Sequence, residues 1–143
     1  MPVPVGRGYC SGTSFVFLDK FMVFGSGGTD GDFITLDECF TFNIRTKEYT
    51  QKASMLTYRE EHGLIQFYDC LYAFGGFDDG ETIRKAEMYD ISSDTWTKIP
   101  SMPRGGQSVS CARSYTQIFI TSIDFYLYYY SPDTQVYGTL PCY

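Results

Sequence analysis

The sequence contains one histidine, His62, so any relay of the Ser-His-Asp or Cys-His kind would have to run through it. His62 stands just ahead of the apolar run Gly63-Leu64-Ile65-Gln66-Phe67, three residues after Arg59. Cys10 follows Arg7 and Gln107 follows Arg104 at the same distance, so the position recurs without its imidazole. It reads as a structural or surface position rather than a catalytic one. The five cysteines, Cys10, Cys39, Cys70, Cys111 and Cys142, are widely spaced and form no Cys-x-x-Cys pair. Neither a zinc cluster nor a redox pair is expected of them, and an odd count fits reduced thiols better than a disulfide framework. The segment Gly25-Ser26-Gly27-Gly28-Thr29-Asp30-Gly31-Asp32 invites two more readings. As a phosphate cradle it lacks the Gly-Lys-Ser/Thr ending. As a calcium loop it offers Asp30 and Asp32, with Asp37 and Glu38 beyond, but not the full ligand spacing. A plain loop between two strands is the expectation, with no cofactor and no metal.

The elements that would carry these residues are strands. The 143 residues include 13 Tyr and 12 Phe, and aromatic side chains suit half-buried pleated surfaces. The 14 glycines fit frequent tight turns. The fold class is therefore all-β, in a chain long enough for one domain with a core. No run of apolar residues is long enough for a membrane helix, and no membrane partner is expected. A net charge of −6 without a basic block argues against nucleic acid. The start Met-Pro-Val-Pro-Val-Gly-Arg-Gly lacks the basic and apolar regions of a secretory leader, which makes the cytoplasm the expected compartment.

A repeat organises the strands. Residues 63–104 hold Leu71-Tyr72-Ala73-Phe74-Gly75-Gly76, the acidic loop Phe77-Asp78-Asp79-Gly80-Glu81, then Tyr89-Asp90-Ile91 and Trp96. Four short strands separated by turn residues fit this unit. Earlier in the chain, Phe21-Met22-Val23-Phe24-Gly25 matches Leu71 to Gly75, and Phe42 with Tyr49 matches Tyr89 with Trp96. Later, Gln117-Ile118-Phe119-Ile120 stands for Leu71 to Phe74, and Tyr128 stands for Tyr89. This third copy is degenerate: Thr121-Ser122 replaces the glycine pair and Gln135 replaces Trp96. Arg7, Arg59 and Arg104 each precede a first strand and fall in register. In the run from Phe125 to Tyr130, alternation puts Tyr128 and Tyr130 on one face and Tyr129 on the other.

A glycine pair after the second strand and a Tyr and Trp seven positions apart resemble the kelch repeat. Gly75-Gly76, Tyr89 and Trp96 match it well, and Gly25 or Gly27-Gly28 with Phe42 and Tyr49 match it in the first copy. The resemblance implies propeller blades, each a twisted four-stranded antiparallel sheet stacked on its neighbours. The blades are expected at about 11–52, 62–99 and 106–138. Kelch rings hold about five to seven blades, so three do not close one. The chain is then part of a longer propeller, one half of a paired ring, or an open stack whose exposed blade edges invite self-association.

The resemblance also implies a non-catalytic protein-interaction module. Partners of kelch propellers dock on the face made by loops joining second to third strands and by segments joining blades. Here those are 27–37 and 77–85, with 52–62 and 99–107. Candidate partner contacts are Arg59, His62, Asp78, Asp79, Arg104, Asp30 and Asp32. The acidic loops favour a basic protein segment, and the arginines either fork a carboxylate or bind blade carbonyls. An alternative is a piece of a larger kelch protein such as a ubiquitin-ligase substrate adaptor. The remnant of a propeller enzyme is a weaker one, because a copper-oxidase or other metal site needs more imidazoles than His62 supplies.

Overall fold

A computed structural model describes residues 8–17, 20–124 and 126–141; Arg7, Phe125 and Cys142 lie outside that range. The described residues form strands and turns without helices. β1 (Ser11–Phe17), β2 (Lys20–Ser26), β3 (Cys39–Asn43) and β4 (Glu48–Lys52) make the first antiparallel sheet. The second joins β5 (Gly63–Phe67), β6 (Cys70–Phe74), β9 (Ala86–Asp90) and β10 (Thr95–Ile99). Between β6 and β9 a small hairpin projects, β7 (Phe77–Asp78) and β8 (Glu81–Thr82). The third sheet holds β11 (Ser110–Arg113), β12 (Ile118–Thr121), β13 (Leu127–Ser131) and β14 (Val136–Thr139). The three sheets of the described residues do not close a ring.

Turn chemistry repeats along with the sheets. The Asn43 side chain accepts hydrogen bonds from the backbone of Arg45 and Thr46, and Asp90 accepts those of Ser92 and Ser93. Each is an Asx turn that starts the link from third to fourth strand. The link ends on a left-handed residue, Lys47, Asp94 or Gln135, at φ of 63°, 53° and 57°.

Strand pairing fixes the true correspondence between copies. β6, β9 and β10 set Leu71, Tyr89 and Trp96 side by side. In the third sheet the same places are held by Ile118, Tyr130 and Tyr137. The aromatic pair of that blade is thus Tyr130 with Tyr137, rather than Tyr128 with Gln135. In the first sheet the row is Val23, Phe42 and Tyr49, so Val23 rather than Phe21 matches Leu71. The glycine pair of the first blade is consequently Gly27-Gly28, with φ of 60° and 96° against 59° and 103° at Gly75-Gly76. Gln117, expected in the place of Leu71, is one residue short of Ile118, the true counterpart; the other two slips are of two residues. A strand repeats every two residues, so such a slip leaves the apolar pattern unchanged and is invisible to it.

The second and third sheets each pack their aromatic pair against the sheet before. Tyr89 and Trp96, with ring centroids 5.1 Å apart, are buried with Leu71 and Ala73 against Phe15, Phe24 and Cys39 of the first sheet. The Trp96 indole donates to the Ala53 carbonyl at 2.9 Å, so its polar end is satisfied as well. Tyr130 and Tyr137, 4.8 Å apart, pack in turn on Tyr72 and Phe74 of the second sheet. Tyr128 joins that inward face, while Tyr129 lies on the opposite face, as alternation requires.

Candidate functional site

The loops at one end of the sheets are stitched together by backbone hydrogen bonds. Glu60 and Phe77 exchange both of theirs, at 3.0 and 2.9 Å, and Gly8 and Thr29 do the same one blade earlier. Gly28 donates to the Arg59 carbonyl at 2.9 Å, and Gly76 to that of Gly106 at 2.8 Å. Each glycine pair therefore meets the segment leading into the next blade. At Gly76 a Cβ would come within 2.5 Å of the Glu60 carbonyl oxygen, and the left-handed φ excludes most side chains besides. Near the axis, Glu61 donates to the Tyr9 carbonyl at 3.0 Å and Val109 donates to that of Glu61 at 2.9 Å. Tyr9, Glu61 and Ser108 share a left-handed φ near 50°, of 53°, 51° and 49°.

These bonds reassign the arginines. Met55 donates to Asp37 and Met102 to Arg84 in matching fashion, so Arg59 corresponds to Gly106 and Arg104 corresponds to Thr57. Likewise His62 corresponds to Val109, not Gln107. The expected register of Arg59 with Arg104 is two residues out, again because the connecting segment is extended. In the third blade the Tyr126 hydroxyl donates to the Gly105 carbonyl, reaching into the space that a side chain at Gly106 would need.

Arg59 and His62 are not on the open surface. Arg59 is fully buried, and its guanidinium donates to the carbonyls of Gly75 (2.8 Å) and Lys85 (3.0 Å) and to the Glu87 carboxylate (2.9 Å). The other Glu87 oxygen accepts from the Leu56 backbone at 2.8 Å. Burial lowers the Arg59 pKa, and the Glu87 charge opposes that. The pair locks the glycine turn of the second blade to the inter-blade segment. Glu87 was not singled out by sequence, although it falls two residues before Tyr89 on the inward face. A carboxylate in that row requires a buried cation, and this was the available signal.

His62 is equally enclosed. Its Nε2 lies 2.8 Å from the Ser26 hydroxyl and its carbonyl accepts from Ser11. Burial first, and the Arg59 charge second, hold its pKa well below the usual histidine range. Cys111 borders the same axial groove as His62, and burial pushes its thiol up to about 12. Cys39 is pushed up to about 12 by burial as well. A thiol nucleophile needs a lowered pKa, so these groups are tuned the wrong way for catalysis. Among the described residues no three His, Cys, Asp or Glu side chains converge as a metal site.

The remaining candidates do face outward. Asp32, Asp79 and Arg104 are exposed, and Asp30 and Asp78 are half-buried. Asp30 uses one carboxylate oxygen to accept the backbone of Asp32 and Ile34, both at 2.9 Å, which shapes the loop tip. Arg104 lies over the Tyr126 ring, 5.4 Å from its centroid. The Glu60 pKa is raised by burial and by the charges of Glu61 and Asp78, a mark of like charges held close.

Four large side chains on this face were missed by sequence reasoning. Phe33 is 78% exposed, Ile34 61%, Leu56 52% and Tyr58 54%. Phe33 also holds a left-handed φ of 61° at the tip of its loop. Leu56 and Tyr58 alternate with buried Met55, Thr57 and Arg59, so the strand-like period of this connecting segment was the signal. The two pairs are neighbours, because Met55 donates to Asp37 and Arg59 to Leu36 along the loop that carries Phe33.

Stacked four-stranded sheets, the second and third closing an aromatic pair on the sheet before and the first and second closing a glycine turn on the segment after, define a series of β-propeller blades. The chain's second blade matches the kelch repeat. The family model described as Kelch motif matches residues 59–103, the second blade with its leading segment. Alpha-scruin of Limulus polyphemus is 34% identical over 88 residues, 57% of this chain and 10% of that protein. Kelch-like protein 23 of Homo sapiens is 32% identical over 91 residues, 62% of this chain and 16% of that protein. Kelch-like protein 7 of Rattus norvegicus is 31% identical over 85 residues, 59% of this chain and 14% of that protein. The chain thus spans a small part of the length of these curated relatives.

Proposed function

We propose that the chain is a non-catalytic protein-interaction module that binds through its stitched loop face. One observation carries this reading. Phe33, Ile34, Leu56 and Tyr58 stand exposed on a frame of backbone hydrogen bonds, with exposed Asp32 next to Phe33 and exposed Asp79 and Glu81 on the hairpin that Glu60 bonds through Phe77. Large apolar side chains held in water on a fixed backbone lose little further entropy on binding and gain contact area. The acidic residues beside them favour a segment that combines Lys or Arg with apolar side chains. Arg104 adds one exposed cation at the margin. Arg59 and His62 serve the frame instead. The free thiols of Cys39, Cys70 and Cys111 fit a reducing compartment such as the cytoplasm.

Selection of a displayed peptide library on the immobilised chain tests this. Enriched peptides are expected to pair basic with apolar residues. Their affinity is expected to fall at least tenfold with D79K/E81K, both exposed, and with F33S/I34S. Exposed charges contribute about 0–1 kcal/mol to stability, so the charge reversals leave the fold intact and report on binding alone. Equal affinity for both variants would remove this face from the interface.

A further inference from the structure

We propose that Asp79 is a site of spontaneous isoaspartate formation, and that the fold directs this modification to Asp79 while sparing Asp30. The reaction needs the amide nitrogen of the following residue to reach the side-chain carbonyl carbon of an aspartate. A side chain on the following residue crowds that approach, so glycine is the most permissive successor. The sequence holds two such pairs, Asp30-Gly31 and Asp79-Gly80. Both glycines have open space where a Cβ would stand. By sequence the two sites are equivalent.

The structure separates them. Asp30 is half-buried, and one of its carboxylate oxygens accepts from the backbone of Asp32 and Ile34, both at 2.9 Å. Its own amide donates to the Ile34 carbonyl at 3.1 Å, and its carbonyl accepts from Phe33 at 3.2 Å. To react, Asp30 must give up the two side-chain bonds and turn its backbone against the other two. Asp79 is exposed, and among the described residues its carboxylate has no hydrogen bond or ion pair. With Gly80 it forms the two-residue turn of the β7–β8 hairpin, at φ of 47° and 86°. That hairpin holds two residue pairs, Phe77 with Thr82 and Asp78 with Glu81. The second pair sets like charges opposite each other, which weakens it. So short a hairpin opens locally at little cost, and the Asp79 carboxyl and Gly80 amide are then free to meet.

The reaction closes without an oxidant or a cofactor. The Gly80 nitrogen bonds to the side-chain carbonyl carbon of Asp79. One carboxyl oxygen leaves as water, taking the amide proton and the acid proton, and a succinimide ring remains. Water then adds to the ring. Opening at the former backbone carbonyl leaves the chain running through the side-chain carbonyl and sets the backbone carboxyl free. The turn gains one methylene in its backbone and no longer fits a two-residue loop. Asp79 stands beside Glu81 on the loop face, so the modification reshapes the acidic part of that face. This consequence rests on the loop-face reading, whereas the modification itself is read without any partner.

Ageing the full chain at neutral pH and physiological temperature tests this, with isoaspartate located by electron-transfer fragmentation of its peptides and quantified by methyl labelling with an isoaspartyl methyltransferase. In the folded chain, isoaspartate at residue 79 is expected to exceed that at residue 30 at least fivefold. In concentrated urea the two sites are expected to react equally, because the difference between them is made by the fold. Asp79→Glu, whose longer side chain closes a larger ring far more slowly, is expected to remove most of the label. Equal formation at both sites in the folded chain, or none at Asp79, would overturn the proposal.

Discussion

Arg59 and Glu87 meet at 2.9 Å with 0% and 1% of their side chains exposed, bridging the connecting segment and the third strand of the second blade. A buried pair of this kind adds little over an apolar substitute, but breaking it strands a charge. Glu87→Leu is therefore expected to cost about 3–5 kcal/mol. The double variant R59M/E87L should recover part of that loss, though the bonds from Arg59 to Gly75 and Lys85 are gone. Urea unfolding of the three proteins measures this. A single variant as stable as wild type would show that the guanidinium finds water, and so is not enclosed.

Trp96 is the only tryptophan, so native fluorescence reports on the first inter-blade junction alone. At 6% exposure its emission should be blue-shifted and resist acrylamide quenching until unfolding. Trp96→Ala should cost about 3–5 kcal/mol, seen as a large fall in melting temperature by circular dichroism. Solvated emission from the native chain would place Trp96 outside the junction.

His62 makes stability depend on pH in a defined direction. Its pKa in the folded chain lies well below 6.5, so the folded state binds fewer protons than the unfolded one in between. Its contribution is complete above pH 6.5 and is lost as pH falls towards the folded pKa, at about 1.4 kcal/mol per pH unit for one proton. Urea midpoints at pH 7.5 and 5.5 should therefore differ more for wild type than for His62→Gln. Equal differences would mean that His62 takes up its proton freely.

The second blade was legible because its signals agree with one another. Gly75-Gly76, Tyr89, the Asp90 turn and Trp96 all point to one register. The first and third blades were legible as blades but not to the residue. Without a complete motif, the period of two left Phe21 against Val23 and Tyr128 against Tyr130 undecided, and only the backbone ladder separates them. The acidic loop residues Asp32 and Asp79 were readable as exposed because exposure is the default for a charge. Arg59 broke that default. Binding to blade carbonyls was one of its two expected roles, but its burial also depends on Glu87, 28 residues away in sequence. Phe33, Ile34, Leu56 and Tyr58 broke the opposite default, since large apolar residues in loops are read first as core.

Hydrogen–deuterium exchange on the chain with and without a selected peptide locates the binding surface itself. Protection is expected at 30–36, 56–60 and 77–82, where the exposed apolar and acidic side chains stand. Protection confined to the opposite turns, around Tyr68 and Tyr115, with no change at those three segments, would contradict binding through the stitched loop face.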